Sequence, residues 1–358
     1  FQPARSYSLD KSLQLAQDRD MYFKLVITEK HDWVVNHVTK AGLPSTGGGH
    51  FWDRGDSASM QLQKYYWRYL FARYGAYRSV HSWEHVNEAD PNSWATYDLA
   101  NSLAVEAASD ANPHPASTST WTGLHANMWN NPSFDDIGNA DFHTYVRSTG
   151  WITPKEELAI DSARYYREYE QAVINGNFDT PVIWGEMGID GGSGSNTEDP
   201  DLALDTDGVW LHKLVWARLG PGAQYPLYWY TGNIYSHSLH GIYGAWNDFM
   251  SDIPLSNGRY EDIAASSSHS DLRVSGQKDT AAGRAHLWID NANHTWRAVV
   301  DGDAIPARSG TVTFNMGQAS TGFLVRWYDT TTGAELATEV VYSDAGGDPV
   351  SYTHLTLP

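Results

Sequence analysis

Glu186 closes the short apolar run Pro181-Val182-Ile183-Trp184-Gly185, and the chain then breaks at Gly188. A run too short for a helix and apolar on both parities reads as a strand buried on both faces, as a parallel sheet covered by helices requires. A second carboxylate, Glu88, arrives in the same way after Val80-His81-Ser82-Trp83-Glu84-His85-Val86-Asn87. Each would surface at a strand's C-terminal end, where the strand fixes the backbone and the next loop opens a site. Two carboxyl groups so delivered suit acid/base work. One gives a proton to a departing oxygen while the other attacks or activates water, which is what breaking a glycosidic bond needs. An isolated glutamate is usually solvated or ion-paired; two at strand ends weigh against that.

The Glu88 stretch holds a rival. His81-Ser82-Trp83-Glu84-His85 satisfies H-x-x-E-H, in which two histidines one helical turn apart hold zinc and the glutamate activates water. That geometry needs a helix, and the residues around it read as a strand, so the expectation is no metal and no cofactor.

The elements that must position these groups alternate. Leu9 to Asp20 has helical spacing at Leu13, Leu15 and Ala16, and it runs into a strand at Tyr22. Residues 62–74 carry a helical stripe at Leu62, Tyr66, Tyr69 and Leu70, and residues 94–110 another at Ala100, Leu103, Ala104 and Ala107. Helices are also expected over 161–173 and 209–219, with strands at Val80, Ala116, Phe142, Val182 and Tyr225. Alternation without a dinucleotide-binding glycine fingerprint predicts a barrel rather than a doubly wound sheet.

Beyond 250 the pattern changes. Residues 251–270 are rich in Gly, Ser and Asp and read as a linker, and 271–346 hold short period-two strands separated by turns, the pattern of a small β-sandwich. Trp288, Trp296, Trp327 and Tyr328 there are expected to pack inward rather than to bind sugar. Residues 347–358 continue no pattern and are set aside as a non-native tail.

Composition narrows the partners. Lys and Arg number 24 against 43 Asp and Glu, a net charge of −19 that disfavours nucleic acid and anionic membrane surfaces. With no cysteine there is neither a disulfide nor a zinc-thiolate site. No apolar run approaches the ~20 residues of a membrane span.

Tyr69-Leu70-Phe71-Ala72-Arg73-Tyr74-Gly75-Ala76-Tyr77 followed by Trp83-Glu84-His85-Val86-Asn87-Glu88 resembles the helix and fourth strand of clan A glycoside hydrolases, most like the cellulase-type family 5. The resemblance implies a (β/α)8 TIM barrel over residues 1–250, lacking about its first two strands, and a retaining β-glycosidase. By the same resemblance Glu88 would be the acid/base and Glu186 the nucleophile, Asn87 would hold the sugar 2-hydroxyl, and His143 and Tyr145 would match the His-x-Tyr of strand six. Trp229 would floor the cleavage subsite. Read alone, His143 is a core histidine and Tyr145 and Trp229 are packing residues. The family's arginine that braces the nucleophile, carried by its first strands, has no counterpart here, so those strands are expected upstream of Phe1. A secreted or periplasmic monomer acting on a β-linked polysaccharide is the expectation, with a non-catalytic glycan-binding protein as the third possibility.

Overall fold

A computed structural model describes residues 2–28, 38–44, 57–88, 94–109, 114–120, 131–143, 145–146, 182–191, 197–217, 219, 227–228, 232–348 and 352–353. The chain divides into two compact units, Phe1–Thr144 with Tyr169–Gly185, and Tyr145–Glu168 with Glu186–Pro358. Trp229 and the helix expected over 161–173 lie outside the described residues.

The first unit alternates as its sequence does: α1 (Pro3–Gln17), β1 (Phe23–Val26), α2 (Ala58–Tyr74), β2 (Val80–Glu84), α3 (Trp94–Ser109), β3 (Ala116–Thr120), β4 (Asn139–His143) and the greater part of β5 (Val182–Met187). The strands stand side by side in chain order, and β1 through β4 pair in parallel. This is an α/β fold with a parallel sheet: parallel neighbours need a crossover, which α2 supplies between β1 and β2 and α3 between β2 and β3.

Alternation along β2 decides what each face of the sheet holds. Trp83 and His85 turn toward α2, where Trp83 meets the rings of Trp67 and Phe71 edge-on at 6.1 and 5.3 Å. Leu13, Met60, Trp67, Leu70, Leu99 and Leu103 complete a core between strands and helices. Ser82 and Glu84 point to the opposite face and are wholly buried there.

The expected stripe of α2 holds at three of its four residues and fails at Leu62. Leu70 is buried and Tyr66 and Tyr69 pack partly buried against the core, with Ser59, Met60, Gln63, Trp67, Phe71 and Tyr74 buried beside them, whereas Leu62 is exposed. Aromatic residues occur on several sides of this helix, so periodicity alone does not single out a face. In α1, Leu13 and Ala16 are buried but Leu15 is exposed. The α3 stripe is buried as expected.

In the second unit the last two residues of β5 pair in parallel with β6 (Leu227–Tyr228). α4 (Val209–Trp216) is buried along its length, and its first turn is closed by Asp205, which accepts from the backbone N–H groups of Val209 and Trp210 at 3.0 and 2.9 Å. α5 (Gly232–Ser236) and α6 (His240–Met250) follow. Helix α6 reaches the point at which the linker was expected, and 251–270 itself contains β7 (Glu261–Asp262) and β8 (Ala265–Ser267).

The remaining strands are β9 (Leu272–Asp279), β10 (Arg284–Asn291), β11 (Thr311–Phe314), β12 (Gly322–Tyr328), β13 (Glu335–Tyr342) and β14 (Tyr352–Thr353). They form antiparallel sheets ordered β10-β9-β7, β14-β11-β8 and β12-β13. β14 belongs to the stretch set aside as a tail, yet it pairs with β11. A short helix, α7 (Trp296–Asp301), interrupts the strands. Its signals were legible: Thr295 accepts from the N–H of Ala298, and Gly302 closes the helix at φ +72°. Trp288 lies 6.4 Å from the ring of His212 on α4, and Tyr328 lies 5.4 Å from Phe249 on α6. Both aromatics therefore pack on helices of their own unit.

No described helix is long and apolar enough to cross a membrane.

Candidate active site

In the first unit Glu88 stands four residues past β2, and its backbone adopts φ +53°. A bulky side chain in the left-handed region is uncommon and costs on the order of 1–3 kcal/mol. The surrounding contacts hold it there. Its N–H donates to Ser119 Oγ at 2.8 Å. The two residues before it are fixed as well, since Asn87 N–H donates to Thr28 O at 3.1 Å and Val86 O accepts from Thr118 Oγ1 at 2.8 Å. Glu88 Oε1 lies 3.3 Å from Nδ1 of His143, which is buried at the end of β4, while the carboxylate itself stays one-quarter exposed. Asn87 is partly exposed beside it.

Beneath Glu88 lies a set of charges that sequence reasoning did not identify. Lys24 of β1 bonds Asp141 of β4 and lies 2.5 Å from Glu84 Oε2 of β2, and both carboxylates are fully buried. Burial opposes the lysine's charge, but the two carboxylates outweigh it and hold its pKa above the usual lysine range. Burial pushes Asp141 up to about 6; the Lys24 charge opposes this and the Glu84 charge adds to it. Glu84 also accepts from Ser119 Oγ, the hydroxyl that accepts from Glu88 N–H. Gly185 faces the same charges: a Cβ built there would stand 2.2 Å from Asp141 Oδ1 and 2.7 Å from Lys24 Nζ. Only glycine fits immediately before Glu186. The sequence did carry a signal, because Lys24 interrupts an otherwise apolar strand and Asp141 shares the parity of His143.

In the second unit Glu186 accepts a hydrogen bond from Tyr145 Oη at 2.6 Å. Tyr145 is held there by its neighbour. Val146 N–H donates to Gly188 O at 2.8 Å and Val146 O accepts from Asp190 N–H at 2.9 Å, a parallel bridge that carries the tyrosine alongside the strand end. The structure thus brings His143 to Glu88 in one unit and Tyr145 to Glu186 in the other.

The zinc alternative on His81, Glu84 and His85 is overturned. The motif forms a strand that Glu84 ends, not a helix. Glu84 is engaged by Lys24 and Ser119, and His81 is exposed. His85 is fully buried with its ring 4.5 Å from that of Trp67, and burial lowers its pKa to about 3. A histidine walled in by indole and phenyl rings cannot share an ion with an exposed partner.

No protein-family model matches the chain, and no curated protein matches it. Solved structures do. A family 5 glycoside hydrolase from Bacteroides vulgatus superposes with a TM-score of 0.51 at 12% identity, over 82% of this chain and 63% of that one. The Pseudomonas stutzeri endoglucanase Cel5A gives 0.41 at 14% identity, over 64% and 66% of the two chains. The endo-1,4-β-D-mannanase of Thermotoga petrophila gives 0.37 at 13% identity, over 64% and 65%. At these identities the first superposition speaks for the fold, and the two weaker ones carry no further argument. This chain spans less than two thirds of the length of the Bacteroides vulgatus protein.

Proposed function

We propose that this chain is the catalytic part of a retaining β-glycoside hydrolase, with Glu186 as nucleophile and Glu88 as acid/base. The observation that carries the reading is the 2.6 Å hydrogen bond from Tyr145 to Glu186 at the C-terminal end of a parallel strand. A phenol that donates to a carboxylate favours its ionised form and fixes which oxygen is free to attack. Glu88, partly exposed and touched by the buried His143, stands at the end of another strand of parallel pairing. The superposition on a family 5 enzyme adds the fold in which such strand ends carry chemistry.

In the reaction, a Glu186 oxygen attacks the anomeric carbon as the bond to the leaving oxygen breaks, and Glu88 gives that oxygen its proton. A covalent glycosyl ester results. Its formation removes the negative charge of Glu186, so Glu88 becomes the stronger acid and then serves as base. It takes a proton from water, the water oxygen attacks the anomeric carbon, and Glu186 leaves as carboxylate. Asn87 is assigned the sugar 2-hydroxyl, and Trp229 the floor of the subsite. A β-linked polysaccharide is the substrate class, met outside the cytoplasm by a monomeric protein.

The test is a reducing-sugar screen of the intact protein on cellulose, mannan, xylan and galactan. Glu186→Gln is expected to lower turnover roughly 10³-fold or more, and a 2-deoxy-2-fluoro glycoside to label Glu186 covalently. Unchanged turnover in Glu186→Gln would remove the assignment, and sugar binding with no turnover in the intact protein would favour the glycan-binding reading.

A further inference from the structure

We propose that Ser119 is a positioning residue for Glu88, its single hydroxyl proton committed to the buried Lys24–Glu84–Asp141 cluster so that its lone pair must hold the backbone of the acid/base glutamate. The inference rests on the assignment of Glu88 made above and deepens it.

A serine hydroxyl has one proton to give and two lone pairs to offer, and it rotates to suit its surroundings. At Ser119 that freedom is gone. The residue is fully buried in β3 and its hydroxyl donates to Glu84 Oε1. Glu84 cannot turn away, because its other oxygen lies 2.5 Å from Lys24 Nζ, and Lys24 is itself tied to Asp141. With the proton directed at Glu84, a lone pair is left for the Glu88 N–H, 2.8 Å away. The chain of contacts therefore runs Asp141, Lys24, Glu84, Ser119, Glu88, across four strands and the turn after β2.

The target of this chain is the least comfortable backbone near the site. Glu88 is one of four described non-glycine residues with positive φ, and the only one of them assigned chemistry. Strain of that kind persists only where the surroundings over-determine it. Thr28 and Thr118 hold Asn87 and Val86, whereas Ser119 reaches Glu88 itself. A carboxyl displaced by about 1 Å gives up much of the advantage of a positioned proton donor.

The consequence separates positioning from simple destabilisation. Loss of the proton donor matters when the leaving group needs a proton and hardly matters when it does not. On a series of aryl β-cellobiosides, or the aryl β-glycoside that the polysaccharide panel selects, Ser119→Ala in the intact protein is expected to lower kcat/KM roughly 10–100-fold for phenyl and methylumbelliferyl leaving groups. The 2,4-dinitrophenyl glycoside should change less than about 3-fold. Ser119→Thr, which keeps the hydroxyl, should restore the poor leaving groups to within about 3-fold of wild type. Glu88→Ala, run on the same series, is the control for the assignment beneath the inference. If Glu88→Ala shows a steep dependence on leaving group while Ser119→Ala loses the same factor on every substrate, Ser119 is structural and the inference is overturned alone. If Glu88→Ala shows no such dependence, or the intact protein cleaves none of the series, the acid/base assignment falls and takes the inference with it.

Discussion

Lys24 answers two carboxylates, Glu84 and Asp141, whereas in the other unit a single carboxylate, Asp290, answers two cations, Lys213 and Arg273. Both clusters are buried polar groups tying distant parts of the chain together, but their charge balance differs. In the first, one lysine cannot neutralise two buried acids, and the deficit appears on Asp141, whose pKa burial raises to about 6. The second joins α4 to β10 and has the opposite excess, which Arg273 relieves by keeping part of its side chain in solvent; Lys213 is also bonded to Asn291 O at 3.1 Å. A buried pair with spare acid is poised to hold a proton, while one with spare base and a route to water is a fixed tie. The former reaches Glu88 through Ser119, and the latter ties a helix to the antiparallel strands that follow it.

Removing the lysines should separate the two most strongly. Lys24→Met leaves two buried carboxylates facing each other, and a loss of about 3–5 kcal/mol in urea unfolding is expected. Lys213→Met leaves Asp290 still paired with Arg273, and about 1–3 kcal/mol is expected. A larger loss at Lys213 than at Lys24 would show that the balance of charges is not what distinguishes the clusters.

His85 sharpens the contrast, because it is buried among rings and burial alone depresses its pKa. Its folded pKa, about 3, lies below the usual 6.5, so the native state gains from the neutral ring above pH 6.5 and loses that gain as pH falls toward 3. Urea midpoints measured from pH 8 to pH 3 should fall less steeply for His85→Leu than for wild type. Parallel curves would mean that His85 does not carry the acid limb.

Asp141 has the opposite sign. Its folded pKa is raised from 3.8 to about 6, so the protonated form favours folding below about pH 4 and that contribution is lost as pH rises through 6. Asp141→Asn mimics the protonated acid beside Lys24, Glu84 and His143. Relative to wild type the variant should therefore gain stability between pH 4 and pH 6 and level off above. A constant difference across that range would place the proton elsewhere in the cluster.

Much of the architecture was legible in residue order. Six strand-like runs reappear in the described parallel sheet, and the helices expected at 62–74, 94–110 and 209–219 reappear between them, because alternating periods dictate alternating elements. The positions of Glu88, Glu186 and His143 near strand ends were also legible, since each sits where a strand-forming run stops. The buried face of α2 was legible only in part: Tyr66, Tyr69 and Leu70 face the core, but Leu62 does not and Trp67 and Phe71 do, because aromatic residues crowd several sides of one helix. In the sequence Glu84 stands out only as part of a metal motif, and strand geometry gives it another role.

Residue types and their spacing determined the kind of protein this is: an α/β chain with carboxylates at strand ends, followed by period-two strands. They could not decide which buried charges meet. Lys24, Glu84, Ser119 and Asp141 are far apart in the chain and come together only because Val26 stands opposite Glu84, Glu84 opposite Ser117, and Ser119 opposite Asp141. Register is a property of packed neighbours, and a one-residue slip in any strand would turn these side chains to the other face.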